Sequence, residues 1–178
     1  MIQGKKVFLT AVDHSSVEQL RQWRNNPELR QYFREHREIS KEMQERWFTE
    51  RVNSQNQVDF EIHDISTGNL IGHCGLYYID WINRNAEFTV YIGDMNYRNG
   101  GFGSDTLRLL FEYGFSALNL HRIWAEVYSN NTAIDIYRRL GFIDEGVKRQ
   151  HHFDAGRYID SHMLGLLNTE WKELNAKD

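Results

Sequence analysis

The sequence predicts an α/β fold of the α+β type, with a mixed, mostly antiparallel central sheet flanked by helices. Three observations carry this prediction. In the middle of the chain, apolar and polar residues alternate over 58–62 with the period of a half-buried strand, and an apolar run follows at 70–79. Apolar residues recur at helical spacing before that region, from 15 to 53. After it, helical and extended patterns follow one another up to Leu167 without a linker or repeat.

Length and composition indicate one globular domain spanning residues 1–178. Hydrophobic residues make up 40% of the chain and charged residues 26%, which suits a packed core with a polar surface. The net charge of −4 argues against nucleic acid as the main partner. The chain has no apolar run long enough for a membrane helix, and residues 1–6 lack the apolar core of a signal peptide, so we expect a cytoplasmic protein with no membrane partner.

The sequence pattern of the N-terminal quarter of the chain predicts a strand followed by a helix. Residues 6–10 are an apolar run with strand character. Ser15-Ser16-Val17-Glu18 has the capping-box pattern, in which a serine and a glutamate three residues later satisfy backbone N–H groups at a helix start. We expect Val17, Leu20 and Trp23 to form the buried stripe of this helix.

Two more helices are predicted before the sheet. A residue that precedes proline is pushed out of the helical region, so Asn26-Pro27 ends the first helix, and Pro27 suits the start of a short second helix through Phe33. Ser40 caps a third helix over residues 41–53. Its apolar positions at helical spacing are Met43, Trp47, Phe48 and Val52.

The remaining chain supplies most of the strands. Alternation over residues 58–62, turn residues at 66–69 and an apolar run over 70–79 predict an antiparallel hairpin. The elements predicted after it are, in order, a strand at 86–92, a helix at 103–118, a strand at 122–127, a helix at 132–140 and two extended stretches that reach Leu167.

A glycine-rich segment, Tyr97-Arg98-Asn99-Gly100-Gly101-Phe102-Gly103-Ser104-Asp105-Thr106, lies between a strand and a helix. Glycines let the backbone come close to a ligand and a helix start adds positive potential, so the segment predicts a phosphate or pyrophosphate site, to which Arg98 adds a charge. A nucleoside-triphosphate loop would need Gly-Lys-Ser/Thr, and a dinucleotide fingerprint would need glycine in place of Thr106. A turn that only reverses the chain is the alternative for this segment alone.

A second motif follows downstream, Asn130-Asn131-Thr132-Ala133-Ile134-Asp135-Ile136-Tyr137-Arg138-Arg139-Leu140-Gly141-Phe142. It resembles the Asn, Tyr and Gly-Phe segment of the Gcn5-related N-acetyltransferases (GNAT), and Arg98, Gly101 and Gly103 match the pyrophosphate loop of that family. The likeness covers roughly residues 6 to 167. It is closer to the branch of ribosomal-protein N-terminal and spermidine acetyltransferases, as in Asn85-Ala86-Glu87-Phe88 and Tyr113-Gly114-Phe115.

The resemblance implies a GNAT-like fold and an acetyl-coenzyme A-dependent N-acetyltransferase, which passes acetyl to a primary amine by direct attack. Tyr137 is implied to donate a proton or hydrogen bond to the departing thiolate, and Asn130 to bind the coenzyme arm. Asn130 and Tyr137 are seven apart, so on one helix they would share a face. The coenzyme contacts expected are Val90, Tyr91, Ile92, Arg98, Asn99, Gly100, Gly101, Phe102, Gly103, Ser104 and Asn130. Related enzymes often form dimers, so a homodimer is also expected.

The acceptor side rests on weaker signals. Glu87 is the carboxylate best suited to draw a proton from the incoming ammonium, with a strand salt bridge as its alternative. His73 and Tyr91 are the next candidates. Segment 77–81, which is rich in aromatic residues, suits an acceptor wall, a core or a dimer contact. We expect the entrance for the acceptor at Arg24, Asn25, Glu28 and Arg30. The alternative for these four residues is a charged face exposed to solvent.

The acceptor itself stays open among a small-molecule amine, a polyamine and a protein N-terminus. Residues 23–30 also resemble the start of family members that acetylate nucleotide-linked amino sugars, and Asn131 stands where spermidine enzymes carry Glu. Two other classes compete: a non-catalytic domain that senses acetyl-coenzyme A, and a nucleotide-binding module that uses residues 100–103.

No metal site is predicted. Cys74 is the only cysteine, so no internal disulfide can form, and its apolar surroundings predict an inert core thiol. His151 and His152 are adjacent in an extended stretch, where neighbouring side chains face opposite ways and chelate poorly.

Overall fold

A computed structural model of the chain describes residues 1–176, within which eight strands and six α-helices are present. The strands are β1 (Ile2–Gln3), β2 (Val7–Ala11), β3 (Val58–Asp64), β4 (Leu70–Asp80), β5 (Asn85–Ile92), β6 (Arg122–Tyr128), β7 (Ile143–Asp154) and β8 (Arg157–Leu167). The helices are α1 (Val17–Asn25), α2 (Pro27–Arg30), α3 (Lys41–Val52), α4 (Phe102–Glu112), α5 (Ile134–Arg139) and α6 (Asn168–Asn175).

The sheet is mixed and mostly antiparallel, as predicted. Its strands follow the order β1-β2-β3-β4-β5-β6-β8-β7. Pairing is antiparallel between β1, β2, β3 and β4 and again between β6, β8 and β7. The parallel pair is β5 with β6, in which Glu87 stands opposite Trp124.

The chain divides into two compact units. The first comprises Met1–Tyr77 and Thr89–Phe111, and the second comprises Tyr78–Phe88 and the described chain from Glu112 onward. A single domain over 1–178 stays a prediction, and Lys177 and Asp178 of that span lie outside the described residues.

Each unit has its own apolar core. In the first, α1 contributes Leu20 and the strands contribute Leu9 and Ile62, all fully buried. In the second, β6 and β8 bury Ile123 and Leu164 completely. Burying one such side chain is worth about 1.5–3 kcal/mol, so these contacts dominate the local stability of each unit.

The start of α1 differs from the prediction. The hydroxyl of Ser15 donates to Asp13 at 2.6 Å, and the same carboxylate accepts from the backbone N–H of Ser15. This stabilises a 3-10 turn over His14–Ser16, so the predicted capping box is wrong and the helix begins at Val17. Val17 and Leu20 are buried as predicted, but Trp23 is only partly covered.

The two following helices begin where the sequence predicts. The Asn26 side chain accepts from the N–H of Glu28 at 3.0 Å, and Pro27 opens α2, which ends at Arg30 rather than Phe33. Ser40 caps α3 by accepting from the N–H of Met43 at 3.2 Å. The buried residue of α3 is a polar one, Gln44, whereas Val52 of the predicted apolar face is 65% exposed.

The later α-helices, α4 and α5, are shorter than the helices predicted from apolar periodicity. The helix predicted at 103–118 is α4 followed by a π-helical turn over Tyr113–Ala117. The helix predicted at 132–140 is reduced to α5. Neither β1 nor α6 was predicted, and α6 is anchored by Glu170, which accepts from the N–H of Leu167 at 2.8 Å.

Candidate active site

The glycine-rich segment turns through left-handed backbone just before α4. Asn99 and Gly101 have φ values of 61° and 82°, and at Gly101 a side chain would be strained by about 1–2 kcal/mol. The N–H of Asp105 donates to the carbonyl of Gly101 at 3.1 Å, which closes the first turn of the helix. The N–H groups of residues 102–104 precede that bond, so they form a helix start that suits a phosphate.

Lys6 lies beside this turn, although nothing in the sequence pattern linked it to the site. Its ammonium donates to the carbonyl of Gly100 at 2.7 Å and lies 5.6 Å from the ring centre of Phe102. Asp105 accepts from the backbone N–H groups of Lys6 and Val7, at 2.7 and 3.1 Å, and so ties the start of α4 to β2. The contact between Lys6 and Gly100 could not be predicted from local sequence patterns, because the two residues are 94 positions apart.

Arg98 supplies a second cation next to the turn. Its backbone is extended, and its guanidinium lies 3.9 Å from the carboxylate of Glu28, whose side chain is 66% exposed. An exposed pair of this kind contributes little, on the order of 0–1 kcal/mol. The charge of Arg98 can therefore be redirected to an anionic ligand at low cost.

Three of the expected coenzyme contacts, Val90, Tyr91 and Ile92, form the end of β5. An added Cβ at Gly72 would lie 2.3 Å from the carbonyl oxygen of Tyr91, so glycine there allows the close approach of β4 to β5. The Tyr91 side chain is buried, and its ring stacks on His73 and meets Phe33 edge-on.

His73 belongs to a buried polar group on the inner side of β3 and β4. Its Nε2 lies 3.0 Å from Asp59, off the line of an aligned hydrogen bond. The same carboxylate accepts from the hydroxyl of Tyr77 at 2.7 Å and has Arg51 at 3.7 Å. Burial opposes ionisation of Asp59, but His73 and Arg51 outweigh it and hold its pKa below the ordinary value.

The aromatic segment 77–81 does not form one wall. Tyr77 is part of the Asp59 group, and burial raises the pKa of its phenol, which stays neutral. Tyr78 and Trp81 are 62% and 50% exposed, and Asp80 accepts from the backbone of the following turn. Of the aromatic residues in this segment, Tyr77 is therefore the one held by an interior polar contact.

The four residues of the expected entrance have separate environments. Asn25 clamps the backbone of Ile39, with its amide donating at 2.9 Å and its carbonyl accepting at 2.8 Å. Arg30 pairs with Glu38, and Glu28 lies near Arg98. Arg24 alone among the four faces Gln44 and the ring of Trp47.

Tyr137 is buried on α5, with 7% of its surface exposed. Its ring meets Phe88 edge-on, with centroids 5.0 Å apart, and lies 6.4 Å from Phe142. The hydroxyl donates to no other described residue. Burial raises the pKa of the phenol to about 12, so Tyr137 is a neutral hydrogen-bond donor at physiological pH.

Asn130 does not share a helix with Tyr137, which corrects the geometric argument from their spacing. Asn131 accepts from the N–H of Ala133 at 3.0 Å, and this turn delays the start of α5 to Ile134. The amide of Asn130 donates to Asp154 at 3.1 Å. Its carbonyl oxygen is buried and has no hydrogen-bond partner within residues 1–176, so it can accept from a ligand N–H.

Glu87 is buried in the middle of β5, with 6% of its surface exposed. Successive side chains of a strand point to opposite faces, and the next residue, Phe88, contacts Tyr137. Glu87 therefore leaves the strand on the face opposite the Phe88 ring.

Two further features bear on the predicted chemistry. Cys74 is fully buried and burial raises the pKa of its thiol, which suits an inert core residue. Residues 1–176 contain no group of three or more histidine, cysteine or acidic side chains arranged to hold a metal ion. In the same part of the chain no helix combines the length and apolar character needed to span a membrane.

Comparison with known sequences gives a family and several relatives. The family described as an acetyltransferase (GNAT) domain matches residues 6–143. The uncharacterized N-acetyltransferase p20 of Bacillus licheniformis is 39% identical over 113 residues, which are 63% of each chain, so the match spans less than two thirds of that relative. Spermidine N(1)-acetyltransferase of Vibrio cholerae is 27% identical over 94% of this chain and 96% of its own. The Escherichia coli K12 enzyme of that name is 30% identical over 70% and 74%.

Solved structures that resemble this chain include the spermidine N-acetyltransferase of Vibrio cholerae. Spermidine N-acetyltransferase from Vibrio cholerae in complex with CoA and spermine matches with a TM-score of 0.88 and 27% identity, over 93% of this chain and 98% of that one. A dodecameric structure of the Vibrio cholerae enzyme matches with a TM-score of 0.81 and 27% identity, over 97% and 98%.

Proposed function

The chain belongs to the GNAT family of acetyltransferases, and from this premise we propose how its residues acetylate a primary amine. The predicted family, the GNAT-like fold, the class of acetyl-coenzyme A-dependent N-acetyltransferase and the coenzyme as cosubstrate are confirmed by the family match and the relatives. The roles of individual residues and the identity of the acceptor are proposals.

The observation that carries the coenzyme assignment is the left-handed turn at Gly101 directly before α4. Its amides and the two cations beside it, Lys6 and Arg98, match the charge of a diphosphate. The coenzyme contacts proposed in this turn are Arg98, Asn99, Gly100, Gly101, Phe102, Gly103 and Ser104. Asn130 adds a buried carbonyl oxygen that suits an amide N–H of the pantetheine arm.

In the proposed reaction, Glu87 draws a proton from the ammonium, directly or through water, and the neutral nitrogen attacks the thioester carbonyl. Backbone amides of Val90, Tyr91 and Ile92 stabilise the oxyanion. The nitrogen of the adduct gives its remaining extra proton to water, the carbon–sulfur bond breaks, and Tyr137 supports the departing thiolate. With a phenol pKa of about 12 against roughly 8.5 for a thiol, complete proton transfer would be about 5 kcal/mol uphill, so Tyr137 acts chiefly as a hydrogen-bond donor.

The test is thiol release from acetyl-coenzyme A in the presence of polyamines, amino sugars and short peptides. Acceptor-dependent release identifies the enzyme and its amine. Polyamines belong in the panel because named relatives are spermidine acetyltransferases, and nucleotide-linked amino sugars because of residues 23–30. Saturable coenzyme binding without release for any amine would instead favour a non-catalytic sensor.

We also propose that the protein is cytoplasmic and forms a homodimer. The β7–β8 hairpin exposes several apolar side chains, among them Ile143, Val147 and Phe153, each at least half exposed. Such a strip suits contact with a second copy of the chain. Light scattering after size exclusion tests the dimer, since a monomeric mass at micromolar concentration would reject it.

A further inference from the structure

Gln44 is a buried amide with one unsatisfied group. Only 1% of its surface is exposed, although α3 is otherwise polar and partly solvated. Its carbonyl oxygen faces Arg24 at 3.4 Å, while its Nε2 has no hydrogen-bond partner within residues 1–176. An unpaired buried donor is unfavourable, so a group that accepts from Gln44 would stabilise this position.

Arg24 is a half-buried cation without a carboxylate partner among the described residues. Its guanidinium lies 5.8 Å from the ring centre of Trp47 and within hydrogen-bond range of Gln44. Three other arginines of the first unit do have acidic partners: Arg21 with Glu18, Arg30 with Glu38, and Arg51 with Asp59. No carboxylate of the described residues neutralises the charge of Arg24, whose contacts are Gln44 and Trp47.

His73 adds a second unsatisfied group to the same neighbourhood. It is 2% exposed, its Nε2 is turned towards Asp59, and its Nδ1 has no partner within residues 1–176. The His73 ring contacts the ring of Trp47, and the guanidinium of Arg24 lies over that same Trp47 ring. The His73 ring also stacks on Tyr91, with centroids 5.5 Å apart.

We propose that the acceptor amine carries an anionic group, a carboxylate or a phosphate, which Arg24 binds together with the side-chain N–H of Gln44, next to His73. This inference rests on the proposed acetyl transfer and narrows its acceptor class. An arginine without an acidic partner and an amide donor without an acceptor meet here, and both suit an anion. Asp59, the buried carboxylate nearby, is already engaged by His73, Tyr77 and Arg51, so a polycation would meet the Arg24 charge instead of a free carboxylate.

The decisive experiment is calorimetric binding of matched amines to the full chain saturated with coenzyme A. Glucosamine 6-phosphate is compared with glucosamine, and ornithine with putrescine, because each pair differs by the anionic group alone; spermidine completes the set. We expect at least one anionic member to bind on the order of 10- to 100-fold more tightly than its partner. Arg24→Gln should abolish that ratio, and Arg24→Lys should restore part of it, since lysine keeps the charge but not the planar fork.

Arg46→Gln is the matched control, because it removes an exposed arginine from α3 and should leave the ratio unchanged. Equal binding within both pairs, or a preference that survives Arg24→Gln, overturns the inference. Acetyl transfer measured on the same five amines separates it from the proposed function. Turnover of spermidine with no binding of the anionic amines would reject the anion site alone, whereas Arg24-dependent binding without any turnover would reject acetyl transfer alone.

Discussion

The ring of Tyr137 stands edge-on to the ring of Phe88, with an angle of 84° between their planes. This contact fixes the phenol without using its hydroxyl, so the hydroxyl is the part of Tyr137 left for chemistry. We expect Tyr137→Phe to lower the turnover number by about 10- to 100-fold, the loss of one hydrogen bond to a developing anion. Coenzyme affinity and thermal stability should change little, because the ring packing is kept.

Tyr158→Phe is the control for this prediction, since Tyr158 is 64% exposed and its hydroxyl has no proposed role. Steady-state kinetics with saturating amine measures the turnover number, and calorimetry measures coenzyme affinity. Unchanged turnover in Tyr137→Phe would remove this residue from the proposed mechanism.

Local sequence signals were enough to predict much of the fold and part of the candidate site. Pro27 and Ser40 marked helix starts because proline geometry and serine capping act within a few residues. The glycines at 100–103 marked the loop that precedes α4, because glycine acts on the backbone locally. The hairpin of β3 and β4 followed from the alternation over residues 58–62, the turn residues at 66–69 and the apolar run over 70–79.

Long-range contacts and local competition account for what the sequence did not predict. Lys6 reaches Gly100 across 94 residues, and no pattern encodes that pairing. Ser15 bonded to Asp13 instead of capping a helix, and Asn131 delayed α5 by forming its own turn. Short polar side chains offer the backbone an alternative to helix, and periodicity alone does not reveal which option is adopted.

Replacing Gly101 should weaken coenzyme binding. Gly101→Ala places a Cβ at a backbone φ of 82°, where strain costs about 1–2 kcal/mol and shifts the amides of the helix start. We expect the dissociation constant for coenzyme A to rise about 5- to 30-fold. Gly146→Ala is the control, because a Cβ there meets no atom within 4 Å. Equal affinity in both variants would argue against a diphosphate at this turn.

Removing the charge of Lys6 should also weaken coenzyme binding, and more at low salt than at high salt. Lys6→Gln keeps the backbone N–H that bonds Asp105, so the start of α4 should stay in place. We expect a loss of about 3- to 10-fold in affinity near 50 mM salt, and a smaller loss at higher ionic strength because exposed charges are screened. Lys5→Gln, an exposed neighbour, provides the comparison. A loss of the same size at every salt concentration would indicate a change of shape instead of charge.

Ionisation of Asp59 should make the free energy of unfolding depend on pH. Its pKa in the folded chain is held below the ordinary value near 3.8, so its contribution to stability is fully present above that value and is lost as pH falls through the lower, folded value. Asp59→Asn should lower the free energy of unfolding at pH 7 by about 3–5 kcal/mol, because it leaves His73 and Arg51 without their buried partner. Urea unfolding between pH 7 and pH 3 measures the difference, which should be constant down to about pH 4 and shrink below it. Asp80→Asn, at an exposed turn, should cost much less. A difference between wild type and Asp59→Asn that grows as the pH falls would mean that Asp59 is protonated in the folded protein and does not pair with His73 as a carboxylate.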